Sequence, residues 1–514
     1  MSFYEQASVN QNNENSSVDD REIKEFEILG VAGIIYAIIF VFCLYKNLMG
    51  VTNVVWAAAT VGYMIYIAKK FEKNWRAINT FISIIIILLG ISNFVTGNYT
   101  IILFNYIAIV CLMIANMMYL FLDVQKVNVT YHLLLLIQLA LGVLIEFGTP
   151  FRQLNIYLKN HKPQKHSKVI YVLIGIIVAI PVFIIMLTIL ASADQVFKEV
   201  FRKLGEWLSI ENLIANTFGI GVMFVIGYIV PYAFTKNVRS GKVILKEGKS
   251  GTNEPVIAII VTGMVSLLYV LFCAIQIIYL FLGKGTLPVD YSYAEYAREG
   301  FFQLLLVSIF NVIVVIAGIE FFRESKILRV ILTIISVCTF VMIASSAYRM
   351  GMYIGEYGLT FTRIFVLWVL LVITLIMAGL IYQLFRQKFN LFQYSLIIVA
   401  VCFTAFSLSH VDYFIAKYDL NMYEEMNGMH EDDLYGTHNY VDYDYLMYLS
   451  TDAAPAMKEH IDVIHKYMEE NELELRDVEW SYHYYEEDGE KYNKITMRNF
   501  NISRYTARLI MKNY

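Results

Sequence analysis

The stretch SYAEYAREGFFQLLLVSIFNVIVVIAGIEFF, Ser292 to Phe322, decides the fold. Ser292 stands three residues before Glu295, the spacing of a capping box, so a helix is predicted to open at Ser292. On a helical wheel Tyr293, Tyr296, Ala297 and Gly300 share one face, and Glu295, Arg298 and Glu299 share the opposite one. From Phe301 the chain stays apolar long enough to cross a hydrocarbon core of ~30 Å, which takes about 20 helical residues. A charged helix entrance therefore leads into a membrane span.

The same reading extends over the whole chain. Its 514 residues are 58% hydrophobic and 16% charged, with a mean hydropathy of +0.56. That composition, with apolar runs near twenty residues, excludes a soluble globular protein and predicts an all-α polytopic transmembrane helix bundle. Runs able to span lie at 26–45, 48–68, 80–95, 101–122, 169–191 and 212–234, and again at 256–282, 301–322, 327–347, 360–385 and 391–409. A twelfth run, Tyr131 to Phe147, is short and carries His132, Gln138 and Glu146. Residues 1–25 are polar and acidic and are expected to form a disordered cytoplasmic tail, with no removable signal peptide. The five cysteines all fall inside apolar segments without metal or redox spacing, so they read as buried thiols.

Lys and Arg in short loops set the orientation. Lys69, Lys70, Lys73 and Arg76 mark one cytoplasmic loop, and Arg152 to Lys168 a second. Three crossings between them would place the two on opposite sides. The conflict disappears if Tyr131 to Phe147 lies in the interface or re-enters, which leaves eleven spans, a cytoplasmic amino terminus and an external carboxyl terminus. The charge balance agrees: residues 411–514 hold 22 acidic and 10 basic side chains, hence −12, and the remainder carries +8. Residues 193–208 alternate apolar and charged positions as an amphipathic interfacial helix, opened by Ser192 with Gln195. Residues 410–514 are expected to form a small acidic extracytoplasmic α+β domain, with helices at 452–471 and 501–512 and a hairpin around 478–485 and 491–497.

Several motifs, namely SADQVF (Ser192 to Phe197), SYAEYAREGFFQLL (Ser292 to Leu305), AYRMGMYIGEYGLT (Ala347 to Thr360), IAKYDLNMY (Ile415 to Tyr423) and DYLMYLSTDAAPAM (Asp444 to Met457), resemble the bacterial multi-pass membrane family catalogued as domain of unknown function 4173. The resemblance runs from about residue 165 to 460 and implies a polytopic protein of the bacterial cell membrane, without implying an activity. Asp419 stands where that family tends to show Asn.

Ionisable groups beside a span are costly unless paired or wet. Asp194, Tyr293, Glu295, Tyr296, Arg298, Glu299, Arg349, Tyr353 and Glu356, with Asp412, are all predicted on the external side and form the candidate polar cluster. An ion-pair lattice capping a helix is the plainer reading of Glu295, Arg298 and Glu299. The tyrosines, with Tyr348 and Tyr357, read as an interfacial aromatic belt. Thr451 or Asp452 is expected to cap a helix whose first turn holds Pro455. Asn105, Asn116, Gln276 and Asn311 are expected to join helices, and Pro231 to close one. The histidines of the tail lack metal spacing, and no phosphate-binding loop, dinucleotide fingerprint, nucleophile elbow or zinc-protease motif occurs, so no cofactor or metal is expected. The expected partners are the lipid bilayer and an envelope protein or lipid ligand, with no nucleic acid. A membrane enzyme using Glu295 or Glu299 as base, with Arg298 and Arg349 holding an anionic group, is the alternative, and a transporter the second.

Overall fold

The computed structural model describes residues 3–122, 128–160, 210–240, 251–278, 293–386, 388–427, 443–462 and 495–511, with isolated positions between them. Twelve helices come first: α1 (Phe3–Leu44), α2 (Val51–Lys70), α3 (Ala77–Val95), α4 (Tyr99–Phe121), α5 (Val129–Ile145), α6 (Thr149–Asn160), α7 (Ile210–Ser240), α8 (Pro255–Gln276), α9 (Tyr293–Phe321), α10 (Lys326–Tyr357), α11 (Phe361–Phe385) and α12 (Leu391–Leu408). The tail supplies α13 (Val411–Asn427), α14 (Tyr443–Met447), a 3-10 turn (Thr451–Ala453), α15 (Ala454–Glu459) and α16 (Ile502–Met511).

Ten of these helices are long and apolar enough to cross a bilayer, or eleven if the bent pair α5–α6 is taken as one span. In hydrocarbon every backbone N–H and C=O must be satisfied within its own segment, and this is why such apolar runs are helical. The protein is thus a multi-pass integral membrane protein built as an all-α bundle. The span expected at Val169 to Ala191 and most of the helix expected at 193–208 lie outside the described residues. So does the hairpin expected in the tail; among the described residues the tail holds helices and no strand.

Lipid supplies no hydrophobic drive between spans, so close packing and interhelical hydrogen bonds hold them together, at roughly 0.6 kcal/mol per bond. All four amides singled out in the sequence make such links. Asn79 donates to Asn116 Oδ1 (2.6 Å) between α3 and α4. The Ser92 and Ser407 hydroxyls meet at 2.6 Å, and Ser407 donates to Asn105 (2.7 Å), so α3, α4 and α12 are joined at one point. Asn311 donates to Thr339 (2.9 Å) and accepts from Tyr269, and Gln276 accepts from Ser345 (2.7 Å), which ties α8, α9 and α10.

Two expectations need correction. Pro231 lies inside α7 instead of closing it. Prolines are tolerated inside spans, and here the Tyr63 and Thr235 hydroxyls both donate to the Pro231 carbonyl, which ties α2 to α7 beside the proline. Within the stretch expected as a cytoplasmic tail, Glu22 and Glu25 lie on α1 and pair with Lys236 on α7. The helix expected over 452–471 is a 3-10 turn followed by the six-residue α15, with only scattered positions described after Asp462.

Helix α5 touches the ends of several long helices. Glu320, at the end of α9, accepts the Val129 N–H (2.6 Å), His132 stacks on Phe392 at the start of α12 (4.3 Å), and Asn237 near the end of α7 donates to the Leu139 carbonyl (3.2 Å). A helix in contact with three such ends runs across one end of the bundle. It buries His132, Leu135, Leu139 and Gly142 and exposes Leu133, Leu134, Ile137, Leu141 and Leu144. After a 50° bend α6 packs beside α1. The described tail docks at the opposite end of the bundle, on the α1–α2, α3–α4 and α10–α11 turns.

Candidate functional site

At the tail end, polar groups separated by more than three hundred residues converge on two buried carboxylates. The α3–α4 turn is Thr96, Gly97 and Asn98. Asn98 caps α4 by accepting the Ile101 N–H (3.0 Å), the usual way to satisfy a free donor at a helix start. Its amide nitrogen then reaches both oxygens of Asp412, at 3.0 and 2.9 Å. The Ser450 N–H donates to the same carboxylate (3.1 Å). Asp452 takes the Thr96 hydroxyl on one oxygen and the Gly97 N–H (2.9 Å) on the other. A side chain on Gly97 would run into the Thr451 hydroxyl, so a residue without Cβ lets the turn come this close.

Asp412 and Asp452 are 2% and 5% exposed, so both charges depend on these donors. Among the described residues the ion pairing at this site is with His410, whose Nδ1 lies 3.5 Å from Asp452 Oδ1 and whose side chain is 41% exposed. The hydrogen bond to Asp452 raises the His410 pKa above its ordinary value, against the opposing effect of burial. Burial, helped by the Asp452 charge, pushes the Asp412 carboxyl up, while the bonds from Ser450 and Asn98 pull it down. His410 also holds a positive φ of 50° at the α12–α13 junction, a conformation uncommon for residues other than glycine.

The far end of the tail docks beside this cluster. Asn501 donates to the Thr96 carbonyl (2.9 Å) and caps α16 by accepting the Arg504 N–H (3.0 Å). Thr451 and Ser503 share a hydrogen bond (2.7 Å), Arg504 donates to the Tyr99 hydroxyl (2.8 Å), and Val51 donates to the Phe500 carbonyl (2.9 Å). On the other flank Asp419 is buried and accepts the Leu359 N–H (2.6 Å) at the α10–α11 turn, and Tyr445 accepts from Phe361 N–H (2.8 Å). Asp452 therefore does not cap a helix as expected. Ser450 caps the 3-10 turn, accepting from the Asp452 N–H, and Pro455 sits in the first turn of α15.

Arg349, Tyr353 and Glu356 sit apart from this cluster. Tyr293, Glu295, Tyr296, Arg298 and Glu299 lie on the first turns of α9, but their side chains are outside the described residues. Arg349, 8% exposed, lies against the backbone of Gly300, with Nη2 3.5 Å from Gln276 Oε1. The Tyr353 ring meets Tyr357 at a tilt (5.1 Å) and lies under the Arg363 guanidinium (4.3 Å), so Arg363 joins this corner unforeseen. Glu356 is half-buried on the same turn. Asp194 accepts the Phe197 N–H (3.2 Å), a helix-starting contact expected of Ser192. Of the expected cluster residues whose side chains are described, Asp412 alone is in the tail-end cluster; Asn98, Thr96, Gly97, His410 and Ser450 were not foreseen. Asn98 directly before an apolar run was a visible cap signal, but nothing local named its second partner.

Among the described residues no group of three or more His, Cys, Asp or Glu side chains is placed to hold a metal ion. The carboxylates are occupied by hydrogen-bond donors, with His410 beside Asp452, and what the arrangement does chemically is fasten the tail. No curated protein matches the chain, and no solved structure does. A family model described as Domain of unknown function (DUF4153) matches residues 83–460, from within α3 to just past α15. The resemblance to an uncharacterised membrane family is thus sustained in kind, while the family shown is 4153 and not 4173, and the match reaches back into α3 and α4. Helices α1, α2 and α16 fall outside the match, and the Val51 N–H at the start of α2 donates to the Phe500 carbonyl just before α16. By a match over most of its length, from α3 through the docked tail, the chain belongs to the DUF4153 family.

Proposed function

We propose that this is a membrane protein of the bacterial cell envelope whose tail end faces outward and receives an envelope protein or lipid ligand, without catalysing a reaction. The observation that carries this reading is that the tail is fastened to the bundle by buried Asp412 and Asp452, which gives the bundle a built polar end. Exposed side chains suited to contact, Tyr448 and Met497, then project from a fixed platform. Sidedness rests on the positive-inside rule: Lys69, Lys70, Arg239, Arg323, Arg329, Arg386 and Lys388 all lie toward the end away from the tail. In this orientation α5 and α6 lie along the cytoplasmic boundary, with the exposed apolar face of α5 turned to lipid.

Two linked experiments test the proposal. Met497→Cys should react with a membrane-impermeant maleimide in intact cells; reaction only after permeabilisation would invert the orientation. A photo-crosslinker at Tyr448 in intact cells should give a discrete adduct that disappears in the Asp452→Ala background. An adduct unaffected by that substitution, or none at all, contradicts a ligand surface built on the docked tail.

A further inference from the structure

Two cavities of opposite character lie end to end between α1 and α2, away from the tail. The first, about 570 Å³, is lined by charged residues of α1, the end of α2 and the end of α7, with Ile28 and Phe71 at its apolar edge. The second, about 300 Å³, is a groove between the same two helices, running from Val31 to Ile39 on α1 and from Tyr66 back to Ala59 on α2. Ile28 is followed one helical turn later by Val31 and Ala32, and Tyr66 precedes Lys70 by one turn, so the groove continues the charged cavity into the bundle. From Glu22 to Ile39 the pair extends about 25 Å along α1 at ~1.5 Å per residue.

The charged cavity is cationic in net terms. Arg21, Lys24, Lys70, Lys236 and Arg239 line it against Glu22, Glu25 and Glu72, five positive to three negative. Two of the three carboxylates are already engaged. Glu25, 6% exposed, takes Lys236, Arg239 and the Gln153 amide, and Glu22 takes Lys236 (3.1 Å), Arg152 (3.6 Å) and Gln153. Gln153 is wholly buried and accepts the Tyr232 hydroxyl, so this wall is fixed from behind. Arg239 is further held 3.9 Å over the Phe71 ring. Lys24 and Lys70, both exposed, add charge at the rim without a carboxylate partner among the described residues.

From this juxtaposition we propose that an anionic phospholipid seats between α1 and α2, its phosphate in the charged cavity and an acyl chain along the apolar groove. Basic pockets at the ends of spans suit phosphate headgroups, and an apolar groove directly beneath one distinguishes a lipid from a free anion. Gly62 lines that groove, and a side chain added there would enter open space. The site stands independently of the function proposed for the tail, since it lies at the end of the bundle away from the described tail.

The purified full-length protein in neutral detergent is titrated with phosphatidylglycerol, phosphatidylcholine or inorganic phosphate, and binding is read as thermal stabilisation. Phosphatidylglycerol should stabilise it at lower concentration than phosphatidylcholine, and inorganic phosphate should have no effect. Lys24→Gln with Lys70→Gln should weaken the phosphatidylglycerol response about thirtyfold, at about fivefold per cation. Gly62→Leu should abolish the preference while folding normally, because leucine is the better helix former, and Gly62→Ala should retain it. Equal responses to both lipids, or full responses in the lysine and Gly62→Leu variants, overturn the proposal. Full stabilisation by inorganic phosphate alone overturns it too, in favour of a free anion.

Discussion

The two ends of this bundle handle buried carboxylates in opposite ways. At the basic end Glu22 and Glu25 meet Lys236, Arg239 and Arg152, charge against charge. At the tail end Asp412 and Asp452 meet an asparagine amide, a threonine hydroxyl and two backbone N–H groups, with His410 as a partly exposed partner. Ion pairs hold helices through long side chains that salt can screen; hydrogen bonds from a rigid turn hold a segment in one register and resist salt. The difference teaches that α1, α6 and α7 are tied by electrostatics, whereas the tail is fastened by shape and donor placement.

The largest expected effect that can break this contrast is on the tail. Asp452→Ala leaves the Thr96 hydroxyl and Gly97 N–H without their acceptor and should cost about 3 kcal/mol of docking, seen as rapid proteolysis after Tyr448 in reconstituted protein. Next comes Glu25→Gln, which removes the shared partner of Lys236 and Arg239 and should cost about 2 kcal/mol, read as earlier thermal unfolding. High salt should soften the basic end and leave tail proteolysis unchanged; equal salt sensitivity at both ends would erase the distinction. Gly97→Ala should then loosen the tail by about 1–2 kcal/mol through the clash with Thr451, without affecting the basic end.

The smallest effect concerns pH. His410 has a raised pKa in the folded protein, so its contribution is fully present below its unfolded value of about 6.5 and is lost as pH rises through the raised one. Asp412 is shifted in the same direction from a lower starting value, so its contribution is present below the ordinary carboxylate value and is lost as pH rises through the raised one. Tail protection should therefore be slightly greater at pH 6 than at pH 8.5, and His410→Gln should flatten the difference. The exposed imidazole keeps the effect under about 1 kcal/mol.

Most of the bundle was legible in the sequence because hydrocarbon imposes one rule on every span: about twenty apolar residues. Tyr131 to Phe147 was set apart by its polar side chains, and α5 meets helix ends through Glu320, Phe392 and Asn237. Asn105, Asn116, Gln276 and Asn311 were recognisable because an amide in an apolar run must find a partner. The tail-end site was much less legible. Asp452 beside Pro455 has the local signature of a helix cap, while its carboxylate serves Gly97, 355 residues earlier. Glu22 and Glu25 fell in a polar leader, and their cationic partners on α7 sit more than two hundred residues on. Local patterns specify spans and caps; pairings between distant turns are decided only when the helices pack.

Amide hydrogen exchange over residues 446–457 in the reconstituted wild-type protein and in Asp452→Ala tests the central claim, that the tail is fastened to the bundle by its buried carboxylates. The account predicts slow exchange at Ala453 to Met457 in the wild type and exchange about a hundredfold faster in the variant, the ratio that about 3 kcal/mol implies. Rapid exchange in the wild type, or equal rates in the two proteins, would contradict it.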